Sequence, residues 1–159
     1  MTTSGPCWRL TGTTQDFLRG SWRAERELAD HRSGEAASFL GVATFTPQGT
    51  DSGADGGTLG YHEQGELSFG RHHGPASRSL LYRSRPDGSA EVLFADGRPF
   101  YLLDLRTGYW QAEHPCGADH YLVTVRVLGA DSLTEHWRAR GPEKDYSMAT
   151  TLTRIGGPQ

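Results

Sequence analysis

Apolar and polar positions alternate along most of the chain, with the period of β-strands rather than of helices. From Ser21 to Leu28, Trp22, Ala24, Arg26 and Leu28 share one face while Arg23, Glu25 and Glu27 take the other. Phe39, Gly41, Ala43 and Phe45 repeat the pattern within Glu35–Thr46. Leu59, Tyr61 and Glu63 share a face within Leu59–Phe69, where Gly65 predicts a bulge that keeps Leu67 and Phe69 pointing inward. Further strands are predicted over Ser77–Arg85, Ala90–Ala95, Arg98–Asp104, Tyr109–His114, Tyr121–Leu128, Leu133–Arg140 and Tyr146–Ile155. The turns between them, such as Pro86-Asp87-Gly88, Asp96-Gly97 and Gly129-Ala130-Asp131, are short enough to make consecutive strands antiparallel neighbours.

Helical signal is confined to Gln15–Gly20, one turn ended by glycine and placed to act as a lid or plug. The expected fold is therefore all-β, a closed antiparallel barrel of eight to ten strands with a short N-terminal helical turn, because closure removes free sheet edges. Residues 1–20 form the N-terminal segment and residues 21–156 a single barrel domain, as suits a chain of 159 residues.

Composition narrows the partners. Only 35% of residues are hydrophobic, but four Trp, six Tyr and six Phe supply the area for a core, and 21 Gly with 8 Pro match the many turns. A net charge of −3 without a basic block argues against nucleic acid. No apolar run reaches membrane-spanning length and MTTSGPCWRL lacks the pattern of an export leader, so no membrane partner is expected and a soluble, cytoplasmic protein is. Cys7 and Cys116 are too few for a disulfide scaffold or a zinc knuckle and leave one disulfide open. The glycine-rich stretch 47–57 has neither phosphate-loop pattern, and adjacent His72 and His73 lack a third ligand, so no cofactor or metal is expected. Nothing fixes the oligomeric state, although Trp8 and Trp110 offer apolar surface.

Gly20-x-Trp22 at the entrance to the first strand and Arg154 in the last resemble the lipocalin-type arrangement, in which a tryptophan and an arginine pack across the closed end of a calycin barrel. More closely, Gly20-Ser21-Trp22, Tyr61-x-Glu63-x-Gly65, Ala76-Ser77-Arg78, Phe94-x-Asp96-Gly97-Arg98-Pro99-Phe100, Leu103-Asp104-Leu105, His114-x-Cys116-x-x-Asp119-x-Tyr121 and Trp137-x-x-x-Gly141-Pro142-x-Lys144-Asp145 resemble a small, mainly bacterial and fungal family of unassigned biochemical role. The resemblance covers nearly the whole chain and implies a calycin-like barrel, but no substrate.

Polar residues on otherwise apolar faces define a candidate pocket. Arg26, Tyr61, Arg78, Tyr82, Arg98, His136 and Lys144 are the candidate ligand-binding residues, with the arginines as carboxylate clamps. His114, Asp104, Asp119, Tyr121 and Glu63 are the candidate catalytic residues. A carboxylate from Asp104 or Asp119 would fix the His114 tautomer, and Tyr61 or Tyr121 would donate to a developing oxyanion. The first functional reading is a barrel that binds a small polar or carboxylated organic molecule in its cavity, as a cofactor-free isomerase, cyclase or lyase. The alternatives are a non-catalytic carrier or sensor, and a haem-binding barrel with His114, His120 or His136 as axial ligand.

Overall fold

The computed structural model describes residues 8–49 and 57–156. Cys7 and most of the glycine-rich stretch lie outside them, as does any disulfide that involves Cys7; Cys116 is an exposed thiol. A five-residue helix, α1 (Thr14–Leu18), precedes ten strands: β1 (Gly20–Asp30), β2 (Ala36–Pro47), β3 (Thr58–Phe69), β4 (His72–Ser84), β5 (Ala90–Phe94), β6 (Pro99–Leu103), β7 (Tyr109–Cys116), β8 (Asp119–Gly129), β9 (Ser132–Arg140) and β10 (Asp145–Arg154). All are antiparallel, in the order β6-β5-β4-β3-β2-β1-β10-β9-β8-β7. The first strand pairs with the last, from Trp22 opposite Arg154 to Asp30 opposite Tyr146.

Among the described residues no backbone ladder joins β6 to β7, so the barrel is nearly closed. Side chains fasten this seam instead. The indole N–H of Trp110 on β7 donates to the carbonyl of Leu102 on β6, and behind the seam Phe100 of β6 stacks on Trp137 of β9 with ring centroids 5.1 Å apart.

One end of the barrel is shut. The α1 turn is held by a capping box in which the Thr13 hydroxyl accepts from the Asp16 N–H and the Asp16 carboxylate accepts from the Thr13 N–H. The Gln15 amide donates to the carbonyls of Gly57 (2.9 Å) and Tyr82 (2.8 Å), and the Leu105 N–H donates to the Thr14 hydroxyl (3.0 Å). Beneath the helix, Trp22 is fully buried and donates its indole N–H to the Leu18 carbonyl at 2.8 Å. The Arg154 guanidinium lies 4.2 Å from the Trp22 ring and donates to the carbonyls of Phe17, Arg19 and Ala130. The tryptophan–arginine closure read from the sequence is thus formed, with α1 seated over it.

Two expectations are corrected. Gly65 makes no bulge: β2, β3 and β4 run in unbroken register through the rung Gly41–Gly65–Ala76. Its glycines instead permit close approach, since a Cβ on Gly41 would lie 2.7 Å from the Gly65 Cα and 2.8 Å from the Phe39 ring. The register shifts fall at Val92/Leu93 and Val127/Gly129. The interior is also not an open ligand chamber. Phe45, Tyr61, Tyr82, Tyr101 and Trp137 fill it, leaving a gap of about 20 Å³ between Arg26, Arg78, Glu135 and Thr150, room for about one water.

Candidate ligand-binding site

Strand alternation carries a charged layer into the barrel midway between its ends. Arg26 of β1 points inward between the Trp22–Ala24 and Leu28 positions, Glu63 of β3 lies inward beyond Tyr61, and Arg78 of β4 stands directly opposite Glu63. Arg26 donates from its two terminal nitrogens to the two Glu63 oxygens, both at 2.8 Å, and from Nε to the Thr150 hydroxyl at 2.8 Å. The Arg26 guanidinium also lies 5.2 Å from the centre of the Phe39 ring. Tyr61 donates its O–H to Glu63 at 2.6 Å. Glu63 is 3% exposed, and burial alone would push its carboxyl upward. The hydrogen bonds from Arg26 and the charge of Arg78 outweigh burial and hold it below the ordinary glutamate range. Burial pushes the Tyr61, Tyr82 and Tyr101 phenols well up, so all three are neutral donors.

Arg78 is the exception in this layer. Its Nε lies 3.1 Å from a Glu63 oxygen, yet this N–H is buried without an aligned acceptor, and the guanidinium makes no hydrogen bond among the described residues. Its side chain is nevertheless 36% exposed. The reason is local: the two inward positions next to it on β4 are Ala76 and Gly74, facing Gly65 and Leu67 of β3, and the first long side chain on that face of the strand is His72 at its start, opposite Phe69. A partly exposed cation with unspent donors thus stands on the inner wall, with only small side chains between it and His72 at the open end.

Five of the residues singled out in the sequence, Arg26, Tyr61, Glu63, Arg78 and Tyr82, meet in or beside this layer. The others lie elsewhere. Asp104 sits in the turn after β6, where Arg106 donates to both of its oxygens at 2.9 and 2.7 Å. Asp119, Tyr121 and Lys144 form a rim cluster, with the Lys144 ammonium 3.1 Å from an Asp119 oxygen and donating to the Tyr121 hydroxyl at 3.1 Å. Arg98 is clamped by Asp96 at 2.7 Å and lies over the Phe94 ring. His136 is exposed on the outer face of β9, because the inward positions there are Leu133, Glu135, Trp137 and Ala139. His114 is half-buried at the open end, edge-on to Phe100 with centroids 5.2 Å apart and near Phe94 and Tyr121. It makes no hydrogen bond to a carboxylate among the described residues, so the expected His114–aspartate pair is not assembled: lysine and arginine hold both aspartates first.

Glu135 and Thr150 join the layer without having been singled out. Glu135 accepts from the Trp137 indole at 2.5 Å and lines the same gap as Arg78 and Arg26. Its alternation with Leu133, Trp137 and Ala139 is the same sign that marked Arg26; Thr150 carries none, since a threonine suits either face of a strand. No group of three or more His, Cys, Asp or Glu side chains among the described residues is placed to hold a metal ion. No described helix is long and apolar enough to cross a membrane.

Residues 18–154 match DUF6314, a family of unknown function. The chain belongs to that family. The match runs from the last residue of α1 to the last residue of β10 and so takes in the whole barrel and the charged layer. No curated protein matches the chain. Among solved structures, the S-type phycobiliprotein lyase CPES from Guillardia theta is similar in fold, with a TM-score of 0.64 and 10% identity over 91% of this chain and 92% of that one. A protein of unknown function of the DUF3598 family from Nostoc punctiforme gives a TM-score of 0.52 and 12% identity, covering 96% of this chain but 53% of its own. A de novo designed fluorescence-activating β-barrel gives a TM-score of 0.48 at 11% identity, over 90% of this chain and 98% of its own. At such identities the likeness is one of fold.

Proposed function

We propose that the protein binds a small organic anion at the open end of the barrel and acts as a carrier or sensor rather than as an enzyme. The observation that carries this reading is Arg78, a partly exposed guanidinium with no hydrogen-bond acceptor among the described residues, beside an Arg26–Glu63 pair that is fully hydrogen-bonded. A carboxylate is the natural partner, because a planar guanidinium matches it in shape and charge. Turnover finds less support. Glu63 is held by Arg26 and Tyr61, and His114 has no carboxylate among the described residues to set its tautomer, so neither is poised as a general base. The fold itself is of a kind that encloses small molecules.

Calorimetric titration with a panel of small carboxylates and their neutral amides tests the reading. At least one carboxylate is expected to bind, its amide at least tenfold more weakly, and Arg78→Leu is expected to lose at least tenfold in affinity, the scale of one charge-assisted hydrogen-bonded pair. The bound molecule is expected to be recovered unchanged after prolonged incubation. Equal affinity of the wild type and the leucine variant would overturn the assignment of Arg78, and conversion of the ligand would restore an enzymatic reading.

A further inference from the structure

Resting on that anion site, we infer that the body of the ligand is aliphatic: an organic monocarboxylate whose carboxylate meets Arg78 and whose hydrocarbon chain lies in an apolar groove at the inner rim of the barrel. Four observations lead there. First, the aromatic surface near the opening is already occupied. Phe94 stacks on Phe100 at 4.3 Å and 19°, Phe100 stacks on Trp137 at 5.1 Å and 13°, and the Arg98 guanidinium lies 5.2 Å from the Phe94 ring. The column is filled by its own members, and a planar aromatic ligand would have to displace one of them.

Second, on the β1–β10 side of the same opening there is an unfilled groove of about 300 Å³ lined by Leu28, Ala37, Phe69, Tyr146 and Met148. All five stand on inward-facing positions: Leu28 follows Arg26 on β1, Ala37 precedes Phe39 on β2, and Met148 precedes Thr150 on β10. The volume is at the small end of what ligand pockets have, and a methionine in the wall adapts to a flexible chain. Phe69, 43% exposed, and Leu67, 37% exposed, stand on the same inward face, apolar area with nothing over it.

Third, the way from Arg78 towards the rim is bare as far as His72, the first residue of β4. Ala76 and Gly74 on β4 and Gly65 on β3 offer nothing longer than a methyl, so a chain can run along them. Fourth, Asp30 and Glu35 stand at the outer lip of the groove, where they repel a second carboxylate. The acid group therefore belongs at the Arg78 end alone, which favours a monocarboxylate over a dicarboxylate.

The test is calorimetric titration of octanoate, butyrate, octylamine and 2-naphthoate against the wild type, Arg78→Leu and Ala37→Trp, with thermal melting of each variant as a check of folding. Octanoate is expected to bind at least tenfold more tightly than butyrate, since four more methylenes leave water, and octylamine is expected not to bind. Ala37→Trp fills the groove and is expected to abolish the preference for octanoate while leaving butyrate binding unchanged. Should that variant fail to fold, Phe69→Ser, at the exposed rim, removes a wall of the groove without adding bulk and is expected to weaken octanoate alone by at least tenfold. Arg78→Leu is expected to lose both acids. If butyrate equals octanoate, or 2-naphthoate binds tightest and the groove variants do not alter it, the aliphatic groove is wrong while the Arg78 site stands. If the wild type binds none of the acids, or Arg78→Leu binds them unchanged, both fall.

Discussion

Glu63→Ala is expected to destabilise the fold by about 3–5 kcal/mol, the usual cost of removing one partner from a buried ion pair. In a chain of this size that lowers the melting temperature by about 6–20 °C. The effect is large because one carboxylate serves three groups: it takes both terminal nitrogens of Arg26, the Tyr61 hydroxyl and the charge of Arg78. Without it two guanidinium groups share the interior, with Glu135 the one carboxylate among the described residues that lines the same gap. The pH dependence follows. The Glu63 carboxyl is held below its ordinary value in the folded protein, so its contribution is complete above the ordinary glutamate range and is lost as the pH falls through the folded value. The wild-type melting temperature is therefore expected to fall more steeply in acid than that of the alanine variant. A loss below about 1 kcal/mol, with parallel acid profiles, would mean that the layer is not the coupled unit described above.

Trp22→Ala has an expected cost of similar size, about 3–5 kcal/mol, as for a large aromatic removed from a core. Trp22 is fully buried, its indole N–H ties β1 to the end of α1, and its ring carries the Arg154 guanidinium that in turn holds the carbonyls of Phe17, Arg19 and Ala130. The substitution therefore removes packing and loosens the plug together. A drop in the denaturation midpoint, with faster amide exchange in Thr14–Leu18 than in β8 and β9, is the expected signature. An unchanged exchange rate in α1 would show that the helix is held by Gln15 and Thr14 alone.

The fold was legible because alternation is a strong signal in strands with one buried face, and Ser21–Leu28 or Tyr121–Leu128 admit few other readings. The end closure was legible only through the resemblance that Gly20, Trp22 and Arg154 carry to lipocalin-type barrels. The charged layer was legible in part, since Arg26 and Glu63 interrupt apolar faces, and Glu135 interrupts one in the same way. What alternation does not give is who pairs with whom. Asp119 stands far nearer in sequence to His114 than to Lys144, and only the folded rim shows that the lysine claims it, as Arg106 claims Asp104 in the turn after β6. Nor does it give the fill of the interior, which depends on how far Tyr61, Tyr82, Tyr101 and Trp137 reach across the barrel. Gly65 looks the same in a sequence whether it makes a bulge or lets two strands close on each other; the contact with Gly41 decides for the second.

The most direct measurement is the ¹H–¹⁵N resonance of the Arg78 side-chain Nε during titration with the tightest-binding carboxylate of the panel. This resonance is expected to shift with ligand concentration together with backbone amides of Ala76 and Gly74, while the Arg26 Nε, bonded to Thr150, moves little. Shifts confined to the outer faces of β1 and β2, with Arg78 unmoved, would contradict an anion site at the open end of the barrel.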